Sequence, residues 1–420
     1  MLRKTVKDQF IKNNAIFFVG TLVVSVLTYL YHPVLSRMMD IESFGEVQAL
    51  ISIYAILGVI LGVYRIIVVN IVSNTEHIGE KQGLILKLKK TGLLVVIIIA
   101  VLITVSSNYL KGFFNFDSAW PFVSLAVLLV IGLLSNFRGA ILQGWHDFKS
   151  VSVAGIISAS GRLAFAALLV YIGWSAFGAI TALVIAELLT LLYLFVKTNK
   201  HLNAPAEKAE KSGFSLKNEM KYGLLVLAVT LCVTFLYSAD VVIIKHFFPP
   251  SEAGLYSGIA TIARIIFFIT GSVAGVLLPS IKIDDVKNEN KKILLKAVLI
   301  LFALGGLSLL AFTLFPHLVI RILIGEQYLA YEYLLPRLSF LLFLISIINL
   351  IFFYYLALRK FFLSVISILS PLAIIVLSYF RHATLTEVIQ NFLIVSIAIL
   401  LYMVVRLVPG YVTKPKISIT

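Results

Sequence analysis

Seven ionisable side chains interrupt long apolar runs in this sequence: Arg65, Arg138, Arg162, Glu187, Asp240, Arg264 and Arg337. One such charge costs roughly 2.5–3.5 kcal/mol at the centre of a membrane-spanning helix, so it faces a partner or a wet cavity. A guanidinium in a wet cavity suits a phosphate or diphosphate, which it holds through two parallel hydrogen bonds. Arginines outnumber carboxylates here, which is the balance for an anion. Cationic drugs call for the opposite excess.

Depth sorts these residues. Arg138 lies near the inner end of the fourth apolar run and Arg337 near the outer end of the tenth, where both can snorkel to an interface or anchor structure. Arg162, Glu187 and Arg264 lie about 10–12 residues into their runs, roughly 15–18 Å deep at 1.5 Å per residue. Arg162 and Glu187 sit at matching depth on consecutive runs. A buried ion pair is one reading of them, and a cavity-lining role is the other. Arg264 has Asp240, on the preceding run, as a candidate partner. Arg65 lies roughly 10 Å from the cytoplasmic end of the second run.

Other chemistries lack their residues. There is no GxxxxGK[ST] phosphate loop, no HExxH, and no Cys/His cluster with metal-ligand spacing, so no cofactor is expected. Cys232 is the single cysteine and excludes an intramolecular disulfide. Gly20, Gly58, Gly62 and the Gly305–Gly306 pair suit close helix packing or bending.

The elements that must carry these charges are membrane spans. The 420 residues are 60% hydrophobic and 13% charged, with mean hydropathy +1.03. A soluble domain carries roughly 25% charged residues. Crossing a ~30 Å hydrocarbon core takes about 20 apolar residues, and twelve runs qualify. They are 13–35, 45–72, 91–108, 119–142, 150–172, 175–197, 219–247, 253–281, 293–316, 333–357, 361–380 and 385–407. The fold class is therefore all-α and polytopic. A six-helix N-terminal lobe (1–197) and a six-helix C-terminal lobe (219–420) are joined by a polar cytoplasmic linker (198–218). The run after the basic Met1–Lys12 segment is too long for a cleaved signal peptide, so it is expected to stay as the first span.

Orientation follows from the 35 Lys and Arg. With both termini cytoplasmic, five fall outside (Arg37, Lys111, Lys245, Arg321 and Arg381), five lie in spans, and the remaining 25 face the cytoplasm. This bias sets the topology, and cytoplasmic loops explain the net charge of +15 without nucleic acid. Six spans per lobe make the lobes parallel repeats about an axis along the membrane normal. An offset of 209 residues pairs Gly45 with Gly254, Asn70 with Pro279 and Lys87 with Lys296. The same offset sets Arg65 against Ala274 and Arg264 against Ala55. The scaffold repeats while the charges do not, which assigns the arginines to a site more than to the fold.

Four segments carry a resemblance. Asp240–Tyr256, DVVIIKHFFPPSEAGLY, resembles the seventh-helix signature of polysaccharide flippases, and Leu35–Val47, with SFGEV, the matching first-loop signature. Arg138–Phe148, RGAILQGWHDF, is similar to their fourth-to-fifth helix turn, and Ile320–Tyr331, containing RILIGEQYLAY, to their ninth-to-tenth loop. These are the O-antigen and exopolysaccharide (Wzx-type) flippases of the multidrug/oligosaccharidyl-lipid/polysaccharide exporter superfamily. The resemblance implies a V of two six-helix bundles around a cationic cavity lined by helices one, two, seven and eight. That lining favours Arg65, Asp240 and Arg264 over Arg162.

The substrate it implies is an oligosaccharide on a polyprenyl diphosphate, turned from the inner to the outer leaflet of the cell (inner or plasma) membrane. Membrane lipid and glycan polymerase proteins are the partners to look for, and a coupling ion or the membrane potential the driving force. The lipid II flippase branch typically has two further helices, so this chain departs from it. A multidrug or cation-coupled exporter is the alternative within the superfamily. A membrane-embedded glycosyltransferase or ligase is the alternative outside it. Outer carboxylates (Asp40, Glu42, Asp117, Glu252, Glu326 and Glu332) form no catalytic pattern, and the longest outer loop, 316–331, holds no folded domain, so the chain reads as a non-enzyme.

Overall fold

The computed structural model describes residues 2–74, 78–202, 216–281, 289–358, 360 and 363–407. Most of the expected linker lies outside the described residues. In chain order the helices are α1 (Leu2–Met38), α2 (Ile41–Asn74), α3 (Ile78–Val105), α4 (Ser107–Phe113) and α5 (Trp120–Gly144). Next come α6 (Phe148–Tyr171), α7 (Ser175–Leu202), α8 (Leu216–Phe247), α9 (Pro250–Ser280) and α10 (Glu289–Leu314). Last are α11 (Pro316–Leu323), a 3-10 segment (Glu326–Leu334), α12 (Leu335–Ala357), α13 (Leu363–Phe380) and α14 (Leu385–Leu407).

Each expected apolar run is a helix. Among the described residues eleven helices are long and apolar enough to cross a membrane, one fewer than the runs expected, and the segment Val365–Phe380 of α13 is shorter. Short polar turns start several of them. The Asp147 carboxylate accepts the Ser150 amide at 3.0 Å ahead of α6, and Asp40 accepts the Ser43 amide at 2.8 Å ahead of α2. Burial works to raise the Asp40 carboxyl, but hydrogen bonding at this turn outweighs it and holds the group below its ordinary value. Prolines open α5, α9, α11 and α12, where a missing N–H leaves no bond unmade.

The repeat is visible in the element boundaries. The ends of α1 and α8, Met38 and Phe247, are 209 residues apart, as are the starts of α2 and α9, Ile41 and Pro250. The same spacing separates Val105 from Leu314 at the ends of α3 and α10, and Ser107 from Pro316 at the starts of α4 and α11. Burial repeats as well. The two most enclosed spans, α5 and α12, and the two least enclosed, α3 and α10, hold equivalent places in their lobes.

In the N-terminal lobe α1 packs on α6, α2 on α5, and α7 on both α5 and α6. In the C-terminal lobe α9 and α10 pack on α12, α8 on α13, and α14 on α12. The lobes meet where α2 packs along α8 and against the first half of α9. By the pseudo-twofold axis the counterpart of the α2–α8 seam is one between α9 and α1. No comparable α9–α1 seam forms among the described residues.

The face bearing the α1–α2 and α8–α9 turns is closed by equivalent contacts. Gly45 and Gly254 lie against each other, and a methyl on Gly45 would come within 2.7 Å of the Gly254 Cα. Arg37 donates to the carbonyls of Ile322 and Leu323 at the end of α11. Its equivalent, His246, donates through Nδ1 to the Phe113 carbonyl at the end of α4, at 2.6 Å. Each lobe thus caps the short helix of the other.

Candidate functional site

Polar side chains in an apolar helix must find hydrogen bonds with one another, because lipid offers none. On α2, Gln48 and Ser52 are one turn apart and face α9, where Thr261 and Arg264 are nearly one turn apart. Thr261 donates to Gln48 Oε1 at 3.2 Å, and Gln48 Nε2 donates to His32 Nδ1 of α1 at 3.0 Å. Arg264 donates to Ser52 Oγ at 3.4 Å through Nη1. A polar ladder therefore joins the lobes through an otherwise apolar seam.

Arg264 is 7% exposed and well partnered. Nη2 reaches Asp240 Oδ1 at 2.8 Å and the Ser238 carbonyl at 3.4 Å, and Nε donates to the Tyr237 carbonyl at 2.9 Å. Tyr256 donates to the other Asp240 oxygen, Oδ2, at 2.9 Å. In this conformation Arg264 and Asp240 form a buried pair at the lobe interface, and the arginine does not stand free in a cavity.

Arg65 stands differently. Its Nε and Nη2 both donate to Gln143 Oε1 of α5, at 3.1 and 3.0 Å. Its Nη1 has no partner among the described residues and faces Gly139, where a methyl would sit at an ordinary 3.7 Å. Arg65 lines a cavity of about 270 Å³ between α1, α2, α5, α6 and α7. Glu187 lines the same cavity.

Arg162 and Glu187 do share a depth, but they are not a direct ion pair. Ser158 Oγ stands between them, donating to Glu187 Oε2 at 3.2 Å and accepting from Arg162 Nη2 at 3.4 Å. Equal depth fixes only one coordinate, and the rotation of α6 against α7 leaves room for the serine. Arg138 lies apart from these groups. It donates to Thr198 of α7 and stacks over Phe195 at 4.0 Å, which is an anchoring role. Arg337 is exposed at the opposite end of its helix bundle, over Tyr333 at 5.9 Å.

Two buried charges were not among the sequence candidates. The basic-residue count places Lys245 outside, yet it is 1% exposed near the end of α8, with its Nζ 5.1 Å from the Phe116 ring centroid. That ammonium has no hydrogen-bond partner among the described residues. Glu46, Asp117 and Glu42 are the carboxylates whose charge acts on it. Glu46 is itself buried and accepts the Asp117 amide at 2.9 Å. The signal available in the sequence was position: both residues lie within a turn or two of helix ends that pack between lobes.

A sequence model described as "Polysaccharide biosynthesis protein" matches residues 10–283. No curated protein sequence matches the chain. Among solved structures, the chain is similar to a lipid II flippase, MurJ, in an inward closed conformation. That likeness has TM-score 0.71 and 15% identity, over 93% of this chain and 87% of that one. It is also similar to an inward-facing MATE-family multidrug resistance transporter, with TM-score 0.64 and 15% identity over 93% of this chain and 98% of the other. A third likeness is to the MATE multidrug transporter DinF-BH, with TM-score 0.63, 13% identity and 94% of each chain covered. The V-shaped two-bundle fold is common to all of them.

Proposed function

The chain belongs to the polysaccharide biosynthesis protein family, and on that premise we propose that it is a flippase for polyprenyl-diphosphate-linked oligosaccharide. It turns this lipid from the cytoplasmic to the outer leaflet for cell-surface polysaccharide assembly, by alternating access. The observation that carries the reading is the Arg264 ladder. A guanidinium is held at the lobe interface by an intramolecular carboxylate, Asp240, and by a hydroxyl of the opposite lobe, Ser52. Parting the lobes removes the Ser52 contact and opens the arginine to a substrate anion.

Arg65 is the first station for the diphosphate, because its Nη1 already faces a cavity. Arg264 is the second, reached as the lobes rock. Asp240 holds Arg264 between turnovers, so the charge is never left bare in the membrane. The arginine excess within the spans supports an anionic substrate over the cationic drugs of the multidrug transporters.

The likeness to a lipid II flippase favours a second substrate of the same chemistry, lipid II itself. Flipping of fluorescent polyprenyl diphosphate lipids in reconstituted vesicles tests the proposal, with an oligosaccharide-bearing lipid, lipid II and a cationic rhodamine dye run in parallel. Flipping of the oligosaccharide lipid, with Arg65→Ala and Arg264→Lys folded but well below wild type, supports it. Flipping of lipid II alone moves the function to that substrate. Export of the dye with neither lipid moved overturns it.

A further inference from the structure

The cavity inside the N-terminal lobe holds more polar groups than a diphosphate site needs. Arg65 and Glu187 give its wall one charge of each sign, and Asn136, Ser152 and Ser158 add an amide and hydroxyls from α5 and α6. Some of these groups are uncommitted among the described residues. Arg65 Nη1 has no partner, and Ser152 Oγ is buried without one. Glu187 Oε2 is engaged by Ser158 while Oε1 is not, and the Asn136 amide nitrogen bonds the Gly132 carbonyl while its oxygen is open.

Close packing creates the space. Gly20 lets α1 approach α6 at Ser152, where a methyl would fall 2.6 Å from the serine Cβ. Gly139 leaves the Arg65 guanidinium uncovered. While α1 leans on α6 and α2 leans on α5, α1 and α2 touch little, which leaves a gap leading into the lobe.

A free dianion is a poor occupant, because the Glu187 carboxylate would face it across a low-dielectric wall. A fully apolar occupant would strand the polar groups. Donors and acceptors of both kinds, with no net charge, match a ligand that carries many hydroxyls. Carboxylate, amide and guanidinium groups each bind adjacent hydroxyls pairwise.

We propose that this cavity is a sugar subsite, which takes the residue of the glycan next to the diphosphate. The claim rests on the flippase reading for its place in the cycle. With the diphosphate on Arg65 Nη1 at the mouth, the attached sugar lies inward against Glu187, Asn136 and Ser158. No aromatic ring lines the cavity among the described residues, so its selectivity is by hydrogen bonding, and Glu187 is its specificity-determining residue. A volume of about 270 Å³ has room for a sugar ring.

The test is saturation-transfer NMR on the full chain in detergent, with free glucose, galactose, rhamnose and N-acetylglucosamine as probes. At least one sugar receives saturation from the wild type, and the effect falls about tenfold in Glu187→Gln and in Gly139→Leu, as loss of a charge-assisted hydrogen bond or of the space requires. Circular dichroism confirms the fold of each variant. Should Gly139→Leu fail to fold, Asn136→Leu, of similar size, must produce the same loss. No saturation of any sugar, or saturation that survives every folded variant, overturns the subsite. The vesicle assay on the same protein separates the two readings. Lipid flipping without a sugar signal leaves the flippase and removes the subsite, whereas a sugar signal without flipping leaves a sugar site and removes the flippase.

Discussion

Arg37 and His246 stand 209 residues apart and make the same contact on opposite lobes: each caps the carbonyl end of a short helix belonging to the other half. Between them lie Gly45 and Gly254, packed against each other near the pseudo-axis. The closed turn face is thus a symmetric clasp.

Loss of either cap loosens this clasp without unfolding a lobe. In a Cys232→Ser background, nitroxide labels at Glu42 and Ser251 report the separation of the lobes at this face. Arg37→Ala and His246→Ala should each raise the long-distance population a few-fold, since one hydrogen bond contributes roughly 0.5–1.5 kcal/mol. Unchanged distance distributions in both variants would remove the clasp from the mechanism.

Gly254→Val should act more strongly. Any Cβ at Gly254 runs into the Ile41 backbone, which cannot swing aside as a side chain does. Overpacking of this kind costs about 1–3 kcal/mol, and it falls on the closed arrangement alone. The same labels should show the wide state becoming the major one. A narrow, wild-type distribution contradicts the contact.

Arg264→Lys tests the ladder. Lysine keeps the charge but cannot reach Asp240, Ser52 and two backbone carbonyls together. The variant should fold and flip the oligosaccharide lipid at least about tenfold more slowly. Asp240→Asn, which leaves a buried guanidinium without its counter-charge, should instead lower folded yield, because breaking such a pair costs about 3–5 kcal/mol. A fully active Arg264→Lys would mean that a point charge suffices there.

Glu46 and Lys245 should be coupled across the lobes. Thermal unfolding in detergent of Glu46→Gln, Lys245→Met and the double variant forms a cycle. The double loss should be smaller than the two single losses together, by about 0.5–3 kcal/mol, as for groups that share an electrostatic environment. Strict additivity would show that Lys245 is balanced by other groups.

The basic bias predicts that the turn face lies outside and the linker side in the cytoplasm. Alkaline phosphatase fused at Glu326 should be active and at Lys208 inactive, with green fluorescent protein giving the reverse. One reporter active at both sites refutes the topology.

The spans were legible because length and apolarity are properties of the chain itself, and the 209-residue spacing was legible because Gly45 and Gly254 keep their places. Contacts between helices were less so. Depth along a helix can be counted, which is why Arg162 and Glu187 were matched, but their angular positions depend on how α6 packs on α7, and Ser158 occupies the gap. Lys245 read as a loop charge because the sequence does not reveal that Phe116 and Glu46, from the other lobe, close over it. The partnering of Gln48 with Thr261 and of Ser52 with Arg264 likewise depends on how α9 packs against α2.

The unequal seams have a further consequence. With α2 closed along α8 and no equal closure between α9 and α1 among the described residues, the protein has a front and a back within the plane of the bilayer. On the proposed reading, a lipid-borne cargo drifting sideways would meet packed helices on one flank and a looser seam on the other.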